Sequence, residues 1–324
     1  MMISGQSGFR LALAAGFVLA AATATASPAL AAGPTLTGAI QVGGAPFAIA
    51  VDPLTSAVYT ANSAGNSVTA IDGRTKRVTA TIQVGRQPEG VAVNTTTHTV
   101  YVTNFQDNTV SVINERTSRV TSTIGVGTGP TGVAVNSATN TVYVAVSGSN
   151  SLWVINGRTG KLTTTIKVGN NPQAVAVNPV TRTVYVANFG GVSMSVINGR
   201  TNTVTTTIQN IQFPQQIAVD TANNTVYVPD DIGRLLVISG ATNTLTATIQ
   251  VGRELEGAAV NPLTSTVYVT DEFNNTIYLL NTHTNKVTST LADGNNPLVL
   301  AANPLTATAY VTNRANNTVS LISN

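Results

Sequence analysis

Val100-Tyr101-Val102-Thr103-Asn104 recurs, with variation, along most of the chain. Its tyrosine returns as Tyr59, Tyr101, Tyr143, Tyr185, Tyr227, Tyr268 and Tyr310. Five of the six spacings are 42 residues and one is 41. A period of that length marks a repeat protein, in which each unit buries its apolar face only against its neighbours.

Outward from this stretch, one unit reads as four short strands, here A to D. Residues 90–93 (Gly-Val-Ala-Val) are strand A. Residues 94–97 are a turn, which is Asp52-Pro53, Asn178-Pro179 or Asn261-Pro262 in other copies. Asp or Asn followed by Pro suits the first two positions of a tight turn. Residues 99–103 are strand B, 104–108 a hairpin loop and 109–113 strand C. A second turn covers 114–117, and 120–126 form strand D. Thr and Val favour strands, while Asn and Gly favour turns. No helical period follows residue 35. The fold expected is all-β: a seven-bladed β-propeller with four antiparallel strands per blade.

The A strands carry Ala at their centre in all seven copies: Ala50, Ala92, Ala134, Ala176, Ala218, Ala259 and Ala301. Blades converge on an axis, where a small side chain fits the crowding. The tyrosine stripe reads as packing between blades. The last copy stops after strand C, while residues 36–43 resemble strand D of the first copy, 78–85. The N-terminal strand is therefore expected to complete the last blade and close the ring, removing its open edge.

Composition supports an ordered core, with 43% apolar and only 9% charged residues. The net charge of +3 and the absence of basic runs argue against a nucleic-acid partner. With no Cys there is no disulfide, thiol nucleophile or Cys-bound metal. Arg10, the apolar run at 11–22 and Ala29-Leu30-Ala31 read as an export signal with cleavage near Ala31. The run is short for a membrane span. Residues 1–31 are thus expected to be a signal peptide, and 32–324 the propeller. That leaves one residue fewer than seven 42-residue periods. A secreted or cell-surface monomer with no membrane span is expected.

The recurring motif resembles the YVTN-repeat β-propeller family. The tetrapeptide is intact at Tyr101-Val102-Thr103-Asn104 and Tyr310-Val311-Thr312-Asn313. Tyr143-Val144-Ala145-Val146 and Tyr227-Val228-Pro229-Asp230 depart from it. The resemblance covers about 35–324 and implies secreted or surface proteins, some similar to surface-layer components. Related propellers include lactonase-like and streptogramin-lyase-like enzymes and subunits of quinone-dependent dehydrogenases. Fold alone does not choose among these.

In such blades the D-to-A and B-to-C connections share one face, the top. The A-to-B and C-to-D turns share the bottom. Top loops gather acids, among them Glu89, Asp107, Asp230, Asp231, Glu254, Glu256, Asp271 and Glu272. Bottom turns gather bases, among them Arg74, Arg116, Arg158 and Lys161. The candidate ligand site is the top mouth of the central channel: Arg86, Glu89, Asn170, Gln173, Gln212, Arg253 and Glu256. Arg86 with Glu89, and Arg253 with Glu256, are read as pairs able to take a carboxylate or zwitterion. No metal ligand set and no cofactor are assigned.

The two histidines, His98 and His283, fall in bottom turns, away from that mouth. A Ser–His–Asp arrangement at the top is therefore excluded. The streptogramin-lyase-like resemblance implies an active-site histidine, and none can be placed. The expected function is a binding or scaffold module, presenting its acidic top and channel mouth to a small molecule or a cell-envelope or protein partner. The alternative is a lactonase-like hydrolase or lyase using the Arg and Glu pairs.

Overall fold

A computed structural model describes residues 33–323. The expected signal segment, 1–31, lies outside the described residues. The described chain forms seven four-stranded sheets, all antiparallel. Blade 2 is typical, with strand A at Pro88–Asn94, B at Thr99–Asn104, C at Thr109–Asn114 and D at Arg119–Gly125. The A strands of successive blades touch in turn, from the first at Pro46–Asp52 round to the last at Pro297–Asn303, and those two also touch. The last blade holds four strands because Thr35–Gln41 pairs antiparallel with Thr318–Ser323.

The four letters of the motif do four different jobs. Each tyrosine sits directly across from the central alanine of strand A, as in Tyr101 opposite Ala92 and Tyr310 opposite Ala301. The missing bulk of Ala leaves room for a ring that is at most 2% exposed in every copy. In three copies the phenol then donates to the next blade. Tyr101 donates to the Gly157 carbonyl at 3.3 Å and Tyr310 to Gly73 at 3.4 Å, both in C-to-D turns. The valine is buried in the sheet interior.

The threonine holds a bulge in strand A. Register shifts between Pro88 and Gly90, and the Thr103 hydroxyl accepts the Gly90 N–H at 2.8 Å. It donates in turn to the Thr131 carbonyl of the following blade. A Cβ on Gly90 would lie 2.5 Å from that same carbonyl, so this close approach needs glycine. The asparagine ties the B–C hairpin together. Its Nδ2 donates to two strand-C hydroxyls: Thr109 and Ser111 for Asn104, Ser193 and Ser195 for Asn188.

Blade 5 departs from the expected pattern. Its A strand shrinks to Ala218–Asp220, where the other blades have seven residues. Gln216 stands where blades 2, 3 and 6 carry glycine, as at Gly90. Its side chain instead reaches the backbone of neighbouring blades. Oε1 accepts the Ala258 N–H at 2.8 Å, and Nε2 reaches the Leu300 carbonyl two blades away at 3.4 Å.

Candidate functional site at the top of the ring

D-to-A and B-to-C loops do share one face, as their mutual hydrogen bonds show. Ser63 N–H donates to Ala45 O, and Phe105 N–H to Gln87 O. The central channel opens there into a cavity of about 130 Å³. Phe47, Glu89, Thr131, Gln173, Gln215 and Gln216 are among the residues lining it. Ordinary small-molecule pockets run from roughly 300 to 1,000 Å³, so this funnel takes a single side chain or a very small ligand, not a drug-sized one.

Of the seven residues expected at the mouth, Glu89 and Gln173 line this cavity. Glu256 lies just outside and accepts from Gln215 Nε2 at 3.4 Å. Asn170 and Arg86 are exposed on the rim, and Gln212 is half-buried. Gln216 and Gln215 complete the lining. Gln216 was legible only as the one long side chain at a position otherwise held by Gly, Ala or Val.

The expected Arg–Glu pairs do not form. Arg86 is taken by Asp107, Nε to Oδ1 at 2.6 Å, and its backbone N–H binds the other oxygen of the same carboxylate. Those two donors, backbone first, hold Asp107 below the usual carboxylate range. Glu89 instead accepts from Gln87 Nε2 at 2.7 Å. Burial pushes its pKa up to about 7, with the Gln87 hydrogen bond opposing. The Arg253 guanidinium lies over the Phe273 ring, 3.5 Å from its centroid. The physical reason is shared: the B-to-C loop supplies a nearer partner to each arginine than the strand-A glutamate does.

What the loops of blades 5 and 6 bring together is a knot of carboxylates. Oxygens of Asp231, Glu254 and Glu256 lie within 4.8 Å of one another. Burial, then the charges of Glu272, Asp231 and Glu254, push Glu256 up to about 8. Burial leads the upward shifts of Asp231 and Glu254 too, followed by neighbouring carboxylates. Among the described residues, no Lys or Arg is ion-paired to any of the four. Asp230, next in sequence, is the exception in this arc, gripped by Arg234 at 2.7 Å. The top loops of blades 5 and 6 also carry exposed apolar side chains: Phe213, Ile232 and Phe273. Phe189 stacks on Phe213 at a tilt, centroids 5.3 Å apart.

These features define a class, a seven-bladed β-propeller of four-stranded blades with an acidic, aromatic-studded top over blades 5 and 6. No family model and no curated protein sequence matches the chain. Among solved structures it is similar to a chain of Kuenenia stuttgartiensis hydrazine synthase, at 20% identity and a TM-score of 0.80. The match covers 88% of this chain and 97% of that one. At such identity the likeness speaks for the fold alone. Among the described residues, no helix is long and apolar enough to cross a membrane.

Proposed function

We propose that this chain is an exported binding or scaffold module of the YVTN-repeat type, whose top face over blades 5 and 6 receives a basic, partly apolar partner at the cell envelope. One observation carries the reading. Asp231, Glu254, Glu256 and Glu272 crowd together with no cation paired to them. Burial leads the upward shifts of Asp231, Glu254 and Glu256, and the neighbouring carboxylates add a repulsion that a bound cationic group would relieve. Phe213, Ile232 and Phe273, exposed on the top loops of the same two blades, offer the apolar half of the contact. The alternative, a hydrolase or lyase using Arg and Glu together, needs arginines that Asp107 and Phe273 already hold.

The test is titration calorimetry of the purified chain with a Lys- and Phe-containing model peptide, set against a Glu- and Phe-containing one. The basic peptide binds, and raising the salt from low to physiological weakens it. A combined Asp231→Asn and Glu254→Gln variant loses affinity by roughly tenfold, about 1.4 kcal/mol. Equal binding of both peptides, or none to the basic one, defeats the proposal. Export is tested separately by N-terminal sequencing of the chain recovered outside a bacterial host, which should begin near Ala32.

A further inference from the structure

On the opposite face, the junction between blades 1 and 2 gathers three ionisable side chains. At the end of two A strands, an asparagine reaches the A-to-B turn of the next blade. Asn94 Nδ2 donates to Asn140 Oδ1 at 2.8 Å, and Asn178 to Asn224 at 2.9 Å. Between blades 1 and 2 the same two positions hold Asp52 and His98. A third position changes with them. The C-to-D turn, glycine at Gly73, Gly157, Gly199 and Gly240, carries Glu115 here.

A carboxylate, an imidazole and a second carboxylate thus meet in one place. Donor atoms of Asp52, His98 and Glu115 lie within 4.8 Å of one another. His98 Nδ1 is 3.0 Å from Glu115 Oε2, and Thr55 Oγ1 orients the other Glu115 oxygen from 2.9 Å. Asp52 is fully buried. Its Oδ1 accepts the Leu54 and Thr55 N–H groups, at 2.8 and 3.4 Å. Its Oδ2 is buried with no hydrogen-bond partner. A buried, unpartnered carboxylate oxygen is costly unless something fills its place. The equivalent aspartate in blade 5 has no such gap, since Asn223 donates to Asp220 Oδ2 at 2.9 Å. Asp72 and Arg74, the nearest charges lining the same hollow, face each other at 3.8 Å, and Arg116 stands at its rim. The Tyr59 phenol borders the same hollow.

We infer that Asp52, His98 and Glu115 form a binding site for one first-row divalent transition-metal ion, zinc or manganese, clamping blade 1 to blade 2. The chemistry of the donors selects this class. An imidazole nitrogen disfavours calcium and magnesium, which want oxygen throughout. With no cysteine in the chain, a thiolate site is excluded. Two carboxylates and a neutral imidazole leave positions open for water. The ion would fill the gap at Asp52 Oδ2 and tie together strand A of one blade and two turns of the next.

The repeat supplies its own controls. His98→Asn and Glu115→Gly install residues that the same positions carry in other blades, so folding is preserved. The tag-free full chain, stripped with chelator, is titrated with zinc, manganese and calcium, followed by calorimetry and melting temperature. Zinc or manganese binds one per chain and raises the melting temperature, and calcium does neither. Either variant weakens binding by more than ~10-fold. Glu256→Gln, in the carboxylate knot on the other face, leaves it unchanged. Anomalous scattering at the metal edge then locates the ion beside His98. Absence of zinc and manganese binding, or binding of equal strength in His98→Asn, overturns the inference. So would loss in Glu256→Gln with none in the two bottom-face variants.

Discussion

Val192 sits in left-handed backbone, at φ 49. That conformation crowds a β-branched side chain, while Asn tolerates it. The equivalent loop position in five other blades is Asn: Asn66, Asn108, Asn150, Asn275 and Asn317. There the side chain has a second task. Its Oδ1 accepts a backbone N–H from the loop leading to the next blade, Gln87 for Asn66 and Asn296 for Asn275, at 2.9 and 2.8 Å. Val192 can offer no such acceptor to Phe213. Val192→Asn should therefore stabilise the fold by about 1–2 kcal/mol, from relieved strain and a regained inter-blade hydrogen bond. Thermal unfolding would show the melting temperature rising by ~2–4 °C per kcal/mol. An unchanged or lower midpoint would refute the account.

At the scale of the strand pair, blade 3 has exchanged a polar network for an apolar one. Val146 replaces the hairpin Asn, and Trp153 replaces the strand-C Ser. Both sit against Gly127, whose Cβ position is 2.9 Å from Val146 and 3.3 Å from the indole. The two residues changed as a unit, so they should couple. Val146→Asn alone buries an amide against the indole, and Trp153→Ser alone leaves a cavity. Each should cost ~2–4 kcal/mol. Together they rebuild the arrangement of Asn104 with Ser111. The double variant should then be more stable than the sum of the singles predicts by ~0.5–3 kcal/mol, measured by denaturant unfolding. Strict additivity would show the positions to be independent. The same scale explains what was legible. Strand positions, the tyrosine stripe and the face of each loop follow from period and turn chemistry, which act locally. Side-chain partners across loops do not. Arg86 has Glu89 three residues away but meets Asp107, because the B-to-C hairpin folds back over the strand-A entry. Neither the shortened A strand of blade 5 nor the meeting of Asp52, His98 and Glu115 has a local signal, since each depends on contact between blades.

For the whole molecule, charge is distributed unevenly, and that should appear in stability against pH. Glu256 moves from its ordinary value of 4.5 to about 8 on folding, chiefly by burial and then by Glu272. Glu89 moves from the same value to about 7, again by burial. Asp231 and Glu254 shift the same way. Between the unfolded and folded values, the folded chain holds protons that the unfolded chain has released. Stability from this source is complete below the unfolded value and is lost as pH rises through about 7 and then about 8. The carboxylates shifted downward, Asp72 and Asp107, titrate at lower pH and do not offset the loss. The melting temperature should therefore fall between about pH 5 and about pH 9. Glu256→Gln removes the largest contributor, so it should flatten that slope and melt above the wild type at the alkaline end. At about pH 5, where Glu256 is already neutral in the fold, the two should nearly coincide. Burial, not the count of charges, drives this result. A wild-type profile that rises across the range, or a variant profile parallel to it, would mean that the top-face carboxylates are solvated and ionised.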